Sequence, residues 1–216
     1  MFIGHYGAAF AAHSLERRLP LWACFLAVQW VDILWCVLVY FGVERVHIQP
    51  GVNPSSPLIF DYYPYTHSLL AGVLWSAAAL VLYRLLRHGS PRAALVLALA
   101  VLSHWVLDFL VHLPDLDLVN ERYKVGLGLW NHPLIETLVE FGLVTAGLVL
   151  YFRSSPALTV QRRMAVVALC MTIAVVQLAG AFGPPPPSVK AMALAGLALY
   201  LVIAALARAA EGALRA

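Results

Sequence analysis

The residue types in this chain best able to do chemistry are imidazoles and carboxylates, and they fall at helical spacing. From Ser103 the sequence runs S-H-W-V-L-D-F-L-V-H, then a polar loop, then N-H-P-L-I-E up to Glu136. His104, Asp108 and His112 stand at i, i+4 and i+8, so on a helix each is offset from the last by only ~40° and all three share one face. His132 and Glu136 repeat the i, i+4 spacing at the head of the next apolar run. Together these are divalent-metal ligands by type. His104 and His112 would lie about 12 Å apart along a helix axis and cannot share one ion with ~2 Å bonds, so at least two metal positions are implied. The expectation is His104 with Asp108 at one position and His112 with His132 and Glu136 at the other, each completed from elsewhere in the chain.

A second line of argument is charge balance. The acids inside apolar runs are Asp32, Asp108, Glu136 and Glu140, whereas the only Lys or Arg within those runs is Lys190, near an end. An unpaired carboxylate in hydrocarbon costs several kcal/mol or stays protonated. Salt bridges cannot account for four acids, so divalent cations are the natural counter-charge, with neutral protonated acids as the alternative.

The elements that must position these groups are membrane helices. Of 216 residues, 62% are hydrophobic and 12% charged, far more apolar than a soluble chain. Runs near the ~20 residues that span a bilayer occur at 21–43, 66–83, 93–112, 133–151, 164–182 and 189–207. The expected fold is an all-α integral membrane protein with six transmembrane helices and a short N-terminal re-entrant or interfacial helix. It reads as one membrane-embedded domain, 1–216, with the metal site in 1–153 and scaffold helices in 154–216. Cys24, Cys36 and Cys170 lie in apolar runs with no C-x-x-C, which indicates core filler and no disulfide or thiolate site.

Arg17, Arg18, Arg84, Arg87, Arg92, Arg153, Arg162, Arg163, Arg208 and Arg215 fall on one side of this arrangement, and Arg45, Arg122, Lys124 and Lys190 on the other. The positive-inside rule then puts both termini in the cytoplasm and the loops at 44–65 and 113–131 outside. The net charge of +3 reports topology and gives no sign of nucleic-acid binding. No basic n-region or small-residue cleavage pattern marks the start, so no removable signal peptide is expected.

Residues 1–19 are apolar but too short to span, and enter the membrane partway if protein surrounds them. About 18 Å of helix from Arg17 back to His5 matches about 16 Å from Leu21 to Asp32, so a turn at Pro20 would bring His5 and Asp32 to similar depth. His13 is expected at the interface. The 44–65 loop, rich in Pro, Gly and aromatics, reads as an irregular cover ending in belt tyrosines Tyr62, Tyr63 and Tyr65. His67 follows in P-Y-T-H-S as a ligand facing the others. His47 and His88 receive no role, Asp115 and Asp117 read as solvated loop acids, and Glu140 as a group that orients a ligand or shuttles a proton. The last two helices, joined by G-P-P-P-P-S and rich in Ala, Gly and Leu, read as scaffold or a homo-oligomer surface.

With H-x-x-x-D, a further His and H-x-x-x-E in that order, the chain resembles the helical, three-zinc phospholipase C and single-strand nuclease superfamily. G-H-Y-G-A, an Asp in the first span, Y-T-H-S, S-H-W-x-L-D and N-H-P together look like the bacterial inner-membrane metal-dependent hydrolases of the YdjM type. The likeness covers about the first 140 residues. It implies Asp32, His67, His104 and Asp108 on one zinc with Asp108 bridging to another, His112, His132 and Glu136 on a separate zinc, and His5 at the remaining site. In the soluble enzymes the processed N-terminal amine is itself a ligand, whereas here four residues precede His5, so the ligand set of that third site stays open.

The expected activity is hydrolysis of a phosphate ester, most readily a phospholipid or lipid-linked substrate, by water that two or three Zn²⁺ or other divalent ions make nucleophilic. Asp32 and Asp108 are the candidate catalytic residues, with Asp32 or another site carboxylate as general base. Ester or amide hydrolysis stays open; no G-x-S-x-G serine motif is present. The expected place is the bacterial inner membrane, with the site toward the outer face. The alternative class is a metal-ion or proton transporter using the same intramembrane cluster, and a haem protein with paired histidines is disfavoured by the many carboxylates.

Overall fold

The computed structural model describes residues 1–87 and 90–212, leaving His88 and Arg215 outside the described residues. Nine α-helices and one two-stranded sheet make up the regular structure of those residues, in the order α1 Ile3–Leu15, α2 Leu21–Val28, α3 Trp30–Tyr40, β1 Arg45–Ile48, β2 Leu58–Tyr62, α4 Pro64–His67, α5 Leu69–Arg87, α6 Pro91–Val111, α7 Pro133–Ser154, α8 Val160–Phe182 and α9 Val189–Gly212. The chain is an all-α, multi-pass membrane protein. Five helices, α5 to α9, are long and apolar enough to cross a bilayer, and α2 with α3 makes a sixth span if the bent pair is taken as one.

That first span departs from a straight 21–43 run. α2 and α3 meet at 51° across Gln29, and the break leaves the Val28 carbonyl without a backbone donor among the described residues. Asp32 then falls in the first turn of α3, where a carboxylate suits the helix dipole. The expected 66–83 run is also interrupted. α4 closes at Ser68, whose extended backbone separates it from α5, so His67 belongs to a short helix at the membrane edge.

α1 is the element about which the others are arranged. It packs on α7, α2 and α6, and Ile3, Gly4, His5, Tyr6, Gly7, Ala9, Phe10, Ala12 and His13 are all buried. A helix apolar on every side is stable only when enclosed, and here protein supplies the enclosure. Gly7 and Gly147 make the approach close, since a Cβ on Gly147 would collide with the Gly7 carbonyl. Below His5, Phe10 packs edge-on against Phe25 with ring centroids 5.2 Å apart and Tyr6 lies 4.8 Å from the same ring. His13 is not interfacial: it is buried, and Nδ1 donates to the Leu19 carbonyl at 2.8 Å, closing the turn into α2. Glu140 of α7 accepts from the backbone amides of Phe2 and Gly4 at 2.9 to 3.2 Å, satisfying amides at the start of α1 that have no helical partner.

The cover at 44–65 is more regular than expected. R-V-H-I pairs antiparallel with L-I-F-D-Y, Val46 opposite Phe60 and Ile48 opposite Leu58, because β-branched and aromatic residues fit a pleated surface. The 113–131 loop closes through a bridge between Leu116 and Val125 and a short 3-10 turn at Leu129–Asn131. α8 and α9 run longer than the apolar windows at 164–182 and 189–207. Polar residues continue both helices, and Glu211 near the end of α9 accepts from the Leu21 amide at 3.0 Å.

Candidate metal centre

Five of the expected ligands meet. Ligand atoms of His5, His104 and Asp108 form one group within 4.8 Å of one another, and those of Asp32, His67 and His104 form a second. His104 belongs to both. Asp108 Oδ2 stands 3.1 Å from His104 Nε2 and 3.7 Å from His67 Nε2, while Asp32 Oδ1 stands 3.3 Å from His67 Nε2 and 3.5 Å from His104 Nε2. Around a tetrahedral ion with ~2.0–2.1 Å bonds, ligand atoms are spaced about 3.3–3.4 Å apart. Asp32 and Asp108 each stand near ligand spacing from both His67 and His104, within two groups of three that share His104. The other oxygen of Asp108, Oδ1, lies 3.2 Å from His5 Nε2 and 2.7 Å from the Met1 amine, so this carboxylate faces two positions.

Which ring nitrogen carries the proton follows from the partners outside the cluster. His104 Nδ1 is 2.7 Å from the Val28 carbonyl, which can only accept, so Nδ1 holds the hydrogen. His112 Nδ1 likewise meets Asp115 Oδ1 at 3.0 Å. Thr66 donates its hydroxyl to Glu44 Oε2 at 2.7 Å, and that hydroxyl oxygen lies 2.7 Å from His67 Nδ1; with its one hydrogen spent on Glu44, it accepts from His67. In the neutral ring each Nε2 is then a lone pair, and all three are directed at carboxylate oxygens. His112 Nε2 is the most distant, 4.0 Å from Asp108 Oδ2. Lone pairs facing anions repel unless a proton or a cation lies between them. Outer hydrogen bonds of this kind are the usual support for metal-ligating histidines.

The remaining surroundings agree. Among the described residues no Lys or Arg side chain pairs with Asp32 or Asp108, and His104 Nε2 and His5 Nδ1 are buried without a hydrogen bond. Asp32 is the most open of the five, its side chain 13% exposed, and Tyr200 of α9 donates to its Oδ2 at 2.9 Å. The donor set, imidazole with carboxylate and no sulfur, suits zinc and other borderline divalent ions.

The second expected grouping does not form. Among the described residues no ligand group joins His112 with His132 and Glu136. His132 caps α7 and is exposed, and Glu136 Oε2 accepts from Ser55 of the cover at 2.9 Å. Consecutive helices were expected to face each other, but α1 lies between α6 and α7 and packs on both, so His5 occupies the side that His132 and Glu136 were expected to fill. His47, given no role, pairs with Asp61 at 2.8 Å. Asp115 is tied to His112 and is not merely solvated.

Sequence reasoning missed three contributors. Glu44 is 1% exposed, accepts from the Tyr65 and Thr66 amides at 2.8 and 3.0 Å, and through Thr66 orients His67. Burial raises its carboxyl above the ordinary range. The Val28 carbonyl is backbone and has no residue signature beyond the polar Gln29 inside an apolar run. Tyr200 was legible only as a lone phenol in an Ala/Leu helix, and it carries the site across the division placed at residue 153. No known protein family, curated protein or solved structure matches the chain.

Proposed function

We propose that this protein is a membrane-embedded, metal-dependent hydrolase, best assayed as a zinc enzyme, acting on a phosphate ester of a lipid or lipid-linked molecule. The observation that carries the reading is the convergence of His67, His104 and His112, each with Nδ1 engaged outside the cluster, onto the paired carboxylates of Asp32 and Asp108. Asp32, His67, His104 and Asp108 would hold one ion, with His5 and Asp108 Oδ1 at a second position. Divalent ions held there would supply Lewis acidity, making water nucleophilic at neutral pH and offsetting charge on a phosphoryl oxygen. Asp32, the most open carboxylate, takes the proton from the attacking water, and the Tyr200 hydroxyl keeps its Oδ2 oriented. Burial of the remaining ligands keeps bulk water out.

The likeness of G-H-Y-G-A, Y-T-H-S, S-H-W-x-L-D and N-H-P to the YdjM-type inner-membrane hydrolases supports the same reading. The arginines of the short turns support a bacterial inner-membrane topology with both termini in the cytoplasm and the cluster toward the outer face. Passage of an ion to the opposite face is disfavoured by the aromatic packing of Phe10, Phe25 and Tyr151, on the side of His5 away from the cover. Metal analysis of purified protein, paired with hydrolysis of a panel of phospholipids, tests the proposal. His104→Ala and Asp108→Ala should lose both metal and activity; unchanged metal content in these variants would reject it.

A further inference from the structure

A cavity of about 470 Å³ adjoins the cluster and is not used by it. Its walls are α7 on one side and the α8–α9 pair on the other, and residues 54–56 of the cover form its roof. α7 packs on α1 and α8 packs on α9, so the two walls do not close against each other at this level. Beside the gap, Leu178 and Phe182 of α8 are 43% and 86% exposed. In a membrane these are hydrocarbon contacts, and the cavity opens sideways past them. At its inner end is Tyr200, whose hydroxyl reaches Asp32.

Carboxylates dominate the polar lining, and the Met1 amine that also borders the cavity is spent on Asp108 Oδ1 at 2.7 Å. Glu136, Glu140, Gln177, Ser55 and Ser56 contribute carboxylate, amide and hydroxyl groups, and no Lys or Arg lines the cavity among the described residues. Both oxygens of Glu140 are taken by the amides of Phe2 and Gly4. Glu136 differs: it is 7% exposed, Ser55 occupies Oε2, and Oε1 has no hydrogen-bond partner among the described residues. A carboxylate oxygen left unpaired at a cavity wall is stabilised by a cationic donor. A headgroup bearing a second negative charge would instead meet it unfavourably.

We propose that this cavity admits a phospholipid laterally from the bilayer and that Glu136 binds a primary ammonium on its headgroup, so that phosphoethanolamine-type lipids are selected over anionic ones. The inference rests on the reading of the Asp32–Asp108 cluster as the metal centre that receives the phosphate. Acyl chains remain in hydrocarbon beside Leu178 and Phe182, the phosphate lies toward Asp32 and Tyr200, and the ammonium lies toward Glu136 and Ser55.

The test measures binding of short-chain phosphatidylethanolamine and phosphatidylglycerol to zinc-loaded protein in detergent by calorimetry, with lipid cleavage followed in parallel. The wild-type protein should bind the ethanolamine lipid about tenfold more tightly, the scale of one charge-assisted hydrogen bond. Glu136→Gln should abolish that preference with zinc content unchanged. Gly180 lines the cavity and a Cβ there meets nothing within 4 Å, so Gly180→Trp should weaken both lipids in a protein that still folds. Equal binding of the two lipids by wild type, a preference that survives Glu136→Gln, or zinc lost from Glu136→Gln would each overturn the proposal. A preference that follows Glu136 with no lipid cleaved would leave it standing and reject the hydrolase reading instead.

Discussion

His104 of α6 donates from Nδ1 to the backbone carbonyl of Val28 at 2.7 Å, although the two residues are 76 positions apart. The carbonyl is available because the first span breaks at Gln29, and the same break places Asp32 at the start of α3. One local irregularity therefore sets both the tautomer of a ligand and the position of a carboxylate that faces it. Non-helical backbone at membrane depth is tolerated where protein surrounds it, and here it is used.

The chain from Glu44 through Thr66 to His67 leads to a sharp expectation. Thr66→Val removes the hydroxyl while keeping the shape, so His67 loses the acceptor that fixes its Nδ1 hydrogen. Metal affinity should fall by roughly 10–100-fold, the usual cost of losing such a support, while Thr66→Ser should restore most of it. Competition titration with a chromogenic chelator measures this, and unaltered affinity in Thr66→Val would count against the orienting role.

Removal of metal should loosen the whole protein. Without a metal ion, Asp32 Oδ1 and Asp108 Oδ2 face imidazole lone pairs, and the Met1 amine on Asp108 Oδ1 is the counter-charge that remains. Stripping with a strong chelator should lower Tm and added zinc should restore it; with free metal at a hundred times Kd the linkage is worth about 2.7 kcal/mol. A melting curve indifferent to chelator and zinc would argue that the cluster is held by protons alone.

The crossing of α1 and α7 gives a third expectation. A methyl group at Gly147 meets the Gly7 backbone carbonyl, which cannot swing aside like a side chain. Gly147→Ala should cost about 1–3 kcal/mol, the range for overpacking, and should also weaken metal binding because His5 is carried on α1. Gly142→Ala, where a Cβ meets nothing within 4 Å, serves as the control on the same helix.

Tyr200→Phe separates catalysis from assembly. The phenol touches Asp32 Oδ2 but is no ligand, so zinc content should be unchanged while hydrolysis slows by about tenfold, the scale of one hydrogen bond to a charged group. Steady-state rates beside metal analysis would reveal the split, and equal losses in both would instead mark Tyr200 as part of the binding frame.

Much of this arrangement was legible before any coordinates. The His104, Asp108 and His112 stripe, the acids without basic partners and the depth match between His5 and Asp32 all follow from periodicity and charge balance. The pairing of His112 with His132 and Glu136 did not, because it assumed that successive helices pack together, and no residue pattern announces that a segment from the far end of the chain will lie between them. Glu44, 22 residues before its partner Thr66, depends on hairpin closure for its approach. A carbonyl such as that of Val28 has the same chemistry at every position and becomes a partner only when its helix is interrupted.

The position of α1 has a consequence for biogenesis. This segment is synthesised well before α6 and α7, on whose surfaces it packs. The nascent membrane protein must therefore hold an apolar but non-spanning piece in reserve, and the cluster is completed by its late docking, when earlier residues fill a seat built by later ones.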